Sequence, residues 1–140
     1  MNADMSTLLV AAGVVIEDGR VLLTQRKAGA HLAGAWEFPG GKVMPGEDPR
    51  DAVVRELREE LGIETTVSDA MEVTFHRYPE RAILLIFYRA RMTASSPPPT
   101  ALDVAALRWA AEGDLDKAQF PAADVEILRK VRTLLRKVPA

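Results

Sequence analysis

Apolar residues along this chain keep two different rhythms. Leu8 to Ile16 and Val21 to Gln25 are rich in β-branched and aliphatic residues, and the Asp18-Gly19 pair between them is a strong hairpin signal. They are predicted to be paired strands. Ala35 to Phe38 reads as a short extended piece ending at Pro39-Gly40-Gly41, where glycines let the backbone approach a ligand closely. Thr65 to His76 and Ala82 to Met92 form a second pair of β-rich runs, separated by Tyr78-Pro79-Glu80. Ser95 to Thr100, SSPPPT, cannot continue a ladder and is a loop, and Val104 to Ala110 is a further strand candidate.

Helical spacing takes over in two places. Ala122 to Val138 is amphipathic, with Val125, Leu128, Val131, Leu134 and Leu135 on its apolar side. The other helix has well-marked ends. Pro45-Gly46 is a turn pair, Asp48 is an N-cap, Pro49 suits the first helical position, and Asp51 favours the orphan amides of the first turn. The helix then runs to Leu61 and stops at Gly62 in a left-handed conformation. At ~100° per residue, Val54, Leu57 and Leu61 share one side while Glu56, Glu59 and Glu60 share the other. Strands lying between two helices suggest a mixed sheet sandwiched by them.

Composition narrows the classes. A chain of 140 residues is expected to form one domain, residues 1–140, large enough for a proper core. No internal repeat or domain boundary is visible. The net charge of −2, with both signs dispersed, provides no bulk basic surface for nucleic acid or an anionic membrane. There is no cysteine, so there are no disulfides and no thiol chemistry, in keeping with a cytoplasmic protein. The N-terminal run MNADMSTLLVAAGVV has no basic flank and breaks at Glu17-Asp18, so neither a signal peptide nor a membrane span is expected.

The carboxylate face of the helix carries the chemistry. Like charges three and four apart repel by roughly a few tenths of a kcal/mol per pair, and no lysine is interleaved on that arc. A solvated acidic face is one reading; a bound cation is the other. Hard oxygen ligands without cysteine or a local histidine suit Mg²⁺ or Mn²⁺, ions commonly completed by substrate phosphates. Arg55 lies beside Glu56 and one turn before Glu59, where it can orient a carboxylate without blocking it.

The segment GKVMPGEDPRDAVVRELREELGI, Gly41 to Ile63, resembles the Nudix box: G, five residues, E, seven residues, then R-E-apolar-x-E-E-x-G-apolar. Gly41, Glu47, Arg55, Glu56, Leu57, Glu59, Glu60, Gly62 and Ile63 fill its fixed positions. The preceding LLTQRKAGAHLAGAWEFPGGK is similar to the MutT-like branch, the nucleotide-pool sanitising enzymes. This resemblance implies an α/β Nudix fold, an α/β/α sandwich around a mixed sheet. It implies a metal-dependent pyrophosphohydrolase that attacks the β-phosphorus of a nucleoside triphosphate. By resemblance, Glu56 and Glu60 are metal ligands, Glu59 is ligand or base, the Gly41 carbonyl is a further ligand, and Glu47 with Arg55 supports the helix carboxylates. Asp103 stands six residues before Trp109, where relatives place a further acidic residue, usually Glu. Its shorter side chain leaves open whether it is base, ligand or ordinary loop residue.

For the base, Phe120-Pro121-Ala122-Ala123-Asp124 is similar to a stretch that places an asparagine against guanine, here replaced by Asp124. An amide both donates and accepts, whereas an ionised carboxylate only accepts, so guanine stays possible and cytosine gains. Asp124 is also a candidate N-cap for the final helix. Arg81 matches an arginine that stacks on or bonds the base, and His31, Leu32 and Phe38 match pocket positions, with Phe38 equally explained as core. Arg26 matches a residue that faces the phosphates, although Gln25 replaces a second arginine of close relatives. His76 has no counterpart and reads as structural. The substrates implied are oxidised purine triphosphates such as 8-oxo-dGTP, or CTP, dCTP and modified pyrimidine nucleotides. A 5′-triphosphorylated RNA end is a further alternative, disfavoured by the dispersed charge, as is a non-catalytic binding module, which would have lost box glutamates. Whether the protein acts as monomer or homodimer is open.

Overall fold

The computed structural model describes residues 6–137. Residues 1–5 of the N-terminal run and Val138 of the expected last helix lie outside the described residues. Strand β1 (Thr7–Glu17) turns through Asp18-Gly19 into β2 (Arg20–Gln25). Both turn residues have positive φ, 52° and 74°, the geometry of a two-residue hairpin turn whose twist suits its strands. The hairpin pairs only at Ile16–Val21 and Glu17–Arg20. Beyond that point β1 runs parallel to β6 (Ala82–Met92) on one edge and antiparallel to β4 (Gly40–Lys42) on the other. Meanwhile β2 pairs with β3 (Trp36–Glu37) and β7 (Ala106–Ala110). Strand β5 (Thr65–Arg77) lies outside β6, giving a mixed seven-stranded sheet in the order β3-β2-β1-β6-β5, with β4 on β1 and β7 on β2.

Each face of the sheet carries a helix, as expected of an α/β/α Nudix fold. Residues of β1 alternate between the faces because the side-chain period of a strand is two. Ala11 and Val15 pack under α1 (Pro49–Leu61) with Leu22, Val53, Leu57 and Leu61. Ala12 and Val14 pack under α2 (Val125–Arg136) with Phe38, Phe87, Ile127, Leu128 and Val131. Burying Leu57 and Leu61 completely stabilises the packing by roughly 1.5–3 kcal/mol each. Gly13 lets α1 come close, since a Cβ there would lie 3.1 Å from Val53 Cγ1.

The ends of α1 are those expected. Asp48 accepts a hydrogen bond from the Arg50 amide, and Gly62 at φ 70° donates its N–H to the Arg58 carbonyl at 2.9 Å. Its buried stripe includes Val53, fully buried, while Val54 is only partly covered. The second helix begins later than expected. Ala122–Asp124 is a 3₁₀ turn and the α-helix starts at Val125. There Val125 is 49% exposed instead of apolar-face, and Ile127 takes the buried place. Position 125 falls well outside the arc shared by 127, 128, 131 and 135 at ~100° per residue.

The outer edge of β5 is not bare. Arg50 Nε, from α1, donates to the Ser68 carbonyl at 3.1 Å, and Lys130 Nζ, from α2, donates to the Met71 carbonyl at 2.9 Å. Val73 and Phe75 stand exposed on the same strand. No helix among the described residues is long and apolar enough to cross a membrane.

Candidate metal and nucleotide site

Close backbone approach builds the floor of the site. A Cβ on Gly40 would lie 2.2 Å from the Ala11 carbonyl oxygen, and one on Gly41 would lie 2.5 Å from the Glu56 carboxylate. The sequence suggested that these glycines admit a ligand; what they admit in the structure is the backbone of β1 and the side chain of Glu56.

Arg55 organises the acidic helix face. Its Nε and Nη2 donate to the two oxygens of Glu47 at 2.9 and 3.0 Å, a bidentate pair, and Nη2 also donates to the Lys42 carbonyl at 3.0 Å. Its Nη1 donates to Glu56 at 2.9 Å and reaches Glu59 at 3.4 Å. The Arg55 hydrogen bonds, with the Met44 amide, hold the Glu47 carboxyl down at about 2. Burial raises Glu56 above the usual carboxylate range despite Arg55. Glu60 is pushed up to about 8 by burial first, then by the charges of Glu56 and Glu37, against a 3.2 Å hydrogen bond from the Gly40 amide.

Glu56 and Glu60 line a cavity of 690 Å³ together with Gly40 and Gly41. Arg26, His31, Glu37, Tyr78 and Arg81 line the same cavity, and Leu8, Val10 and Ile83 of the sheet strands add apolar lining. Among the described residues no three carboxylate or imidazole groups converge into a closed cage. Carboxylates on one cavity wall, with the charge of Glu56 raising the proton affinity of Glu60, are still a donor set that an oxygen-seeking divalent ion satisfies, with water and phosphate completing its shell. The residues therefore fit such an ion.

Other expected site residues are placed differently. Glu59 is half-exposed and touches Arg55 outside the cavity wall. Asp103 pairs with Lys27, and its amide donates to the Glu60 carbonyl at 3.2 Å, which keeps its loop beside the end of α1. Arg26 donates from Nε to Glu37 at 3.1 Å and from Nη1 to the His31 carbonyl at 3.1 Å, so its charge is shared with a carboxylate. Leu32, at φ 56°, lies in a separate depression with Trp36, Phe120 and Pro121 and is not part of the cavity wall. Phe38 is core, 3% exposed, its ring 5.8 Å from that of Phe87. Asp124 is 4% exposed and its carboxylate makes no capping bond to α2, in contrast to the N-cap reading. Burial, then the charge of Glu37, pushes it up to about 7 while Arg26 opposes.

Glu37 and Tyr78 were not among the residues singled out from sequence. Glu37 follows Trp36 in a two-residue strand too short to show alternation, and Tyr78 lies in a turn, where periodicity says nothing about direction.

Residues 11–130 match the family described as NUDIX domain. Along most of its length the chain is similar to the 8-oxo-dGTP diphosphatase of Escherichia coli strain K12, 34% identical over 93% of this chain and 100% of that protein. Over a shorter stretch it is 55% identical to the CTP pyrophosphohydrolase of the same organism, covering 46% of this chain and 48% of that protein. The solution structure of the E. coli ORF135 protein superposes with a TM-score of 0.78 at 35% identity, covering 98% of this chain and 96% of the other. The chain belongs to the Nudix hydrolase family, enzymes of phosphoric anhydride bonds that work with a divalent metal, and Gly41 to Ile63 is its Nudix box.

Proposed function

We propose that this protein is a magnesium-dependent nucleoside triphosphate pyrophosphohydrolase that sanitises the cytoplasmic nucleotide pool, converting oxidised nucleotides such as 8-oxo-dGTP to the monophosphate and pyrophosphate. The observation that carries this reading is one cavity that brings two chemistries together. It is lined by the carboxylates Glu56 and Glu60, by the groups Arg26, Glu37, Tyr78 and Arg81, and by the apolar Leu8, Val10 and Ile83. Its 690 Å³ is of the size that encloses a small ligand. The 8-oxo-dGTP diphosphatase relative supports the substrate class.

Glu56 and Glu60 would hold the ion, with Glu59 and the Gly41 carbonyl as further donors; Mn²⁺ suits the same oxygens. When bound, the ion supplies neutralisation of phosphate oxygens and a more acidic water. Arg55 keeps Glu56 in place while anchored on Glu47. Glu59 or Asp103 takes the proton of the attacking water, whose oxygen meets the β-phosphorus. The bond from that phosphorus to the oxygen bridging the α-phosphate breaks, and the nucleoside monophosphate leaves with that oxygen.

A second reading, a CTP or modified-pyrimidine pyrophosphohydrolase, is favoured by Asp124 and by the CTP pyrophosphohydrolase relative. An ionised Asp124 accepts from the exocyclic amine of cytosine; a protonated one donates and accepts as an amide does. Turnover of 8-oxo-dGTP, dGTP, dCTP, 5-methyl-dCTP and 5′-triphosphate RNA with Mg²⁺, compared as kcat/KM, decides. Clear preference for 8-oxo-dGTP supports the first reading and for dCTP or its derivative the second. Equal, weak turnover of every nucleotide sinks both.

A further inference from the structure

The rings of His76, Tyr78 and His31 form a connected column, of which Tyr78 and His31 line the cavity. Tyr78 is the first residue beyond β5, and its N–H donates to the Arg81 carbonyl at 2.8 Å, closing the turn into β6. Its ring meets that of His76 edge-on, centroids 4.4 Å apart at 63°, and that of His31 at 5.6 Å and 89°. His76 is opposite Ile83 on β6, and Ile83 is opposite Leu8 on β1, so all three share one sheet face. Ile83, Leu8, Tyr78 and His31 line the cavity; His76 belongs to the edge strand beside them. The column therefore joins the β5–β6 turn to the loop between β2 and β3.

Tyr78 lines the cavity beside Arg26 and Arg81. Burial raises its hydroxyl above the usual range, while the charge of Arg26 lowers it. A phenol can donate to or accept from a base edge, which neither the apolar wall nor the guanidinium of Arg26 can do in both senses.

Resting on the nucleotide reading above, we propose that Tyr78 is a specificity-determining residue for the nucleoside, with its ring held by His76 as a positioning residue and contacted by His31. A ring already held by two neighbours loses little freedom when a base packs against its remaining surface, so the column lowers the ordering cost of binding. His76, structural from sequence alone, acquires a role through Tyr78 without touching the substrate.

The test measures kcat and KM for the preferred triphosphate and, without metal, the Kd of its nucleoside monophosphate. His76→Ala is expected to raise KM and Kd about three- to tenfold, the size of one aromatic pair, with kcat within twofold. His76→Phe keeps the ring contact and should restore both constants. Tyr78→Phe keeps the ring and loses the hydroxyl; it should change the dGTP to dCTP ratio of kcat/KM at least threefold, and an unchanged ratio would remove Tyr78 as a specificity determinant. An unchanged KM and Kd in His76→Ala, or a fall in kcat alone, would overturn the proposal. Should His76→Ala fail to fold, His76→Phe against His76→Leu decides on the same constants. Wild type that turns over none of these nucleotides ends the nucleotide reading itself, whereas wild-type binding with an unaffected His76→Ala ends the column alone.

Discussion

Arg55 divides one guanidinium between carboxylates of opposite tendency. It holds Glu47 ionised far into acid, while Glu56, on its other side, is raised by burial. One side chain thus ties Glu47, ahead of α1, to Glu56 within it. Glu56→Gln removes a charge without removing packing volume, so kcat should fall at least ~100-fold in steady-state assays with the melting temperature almost unchanged. Retained activity would remove Glu56 from the ligand set. Asp124 gives a stability prediction with a definite sign. Its folded value of about 7 lies above the ordinary 3.8, so the folded state binds this proton more tightly. The stability contributed is full below about pH 4 and lost as pH rises through 7. Asp124→Asn should consequently be more stable than wild type at pH 8, on the order of a few kcal/mol, with the gap closing by pH 4. Urea midpoints at the two pH values measure it, and a gap independent of pH would contradict it.

At the scale of elements, α1 is the piece most legible in sequence because all that sets it is local. Asp48, Pro49 and Gly62 stand where the cap rules put them, and the helix runs from Pro49 to Leu61 as expected. Asp48→Ala should cost about 1 kcal/mol in urea unfolding through loss of the cap. Gly41→Ala affects function instead, since its Cβ would press on the Glu56 carboxylate. It should reduce kcat at least tenfold, on the order of one misplaced catalytic contact, while circular dichroism stays native. Strand β4 was missed because three residues of Gly-Gly-Lys carry no β pattern; their pairing is created by β1, which lies some thirty residues earlier, as Ala11 opposite Gly41. The start of α2 was misjudged for a related reason. Ala122 to Asp124 has helical composition, but a 3₁₀ turn after Pro121 lets Asp124 enter the interior.

For the whole molecule, the box made the reaction legible while the rest of the cavity is assembled from distant chain segments. Arg26, just after β2, meets Glu37 of β3, and Tyr78 and Arg81 arrive from the β5–β6 turn, while Asp124, ahead of α2, is buried and does not line the cavity. Nothing in local spacing reports such meetings. The same architecture leaves β5 at the rim of the sheet with Val73 and Phe75 in water, and there Arg50 and Lys130 occupy the carbonyls of Ser68 and Met71. An edge strand with two of its carbonyls engaged by charged side chains is a poorer template for another chain at those positions. Arg50 and Lys130 are thus expected to oppose strand-to-strand association at high concentration. The pair Arg50→Ala and Lys130→Ala should keep kcat near wild type yet raise light scattering steadily on concentration, and a clear, monodisperse double variant would show that the rim needs no guard.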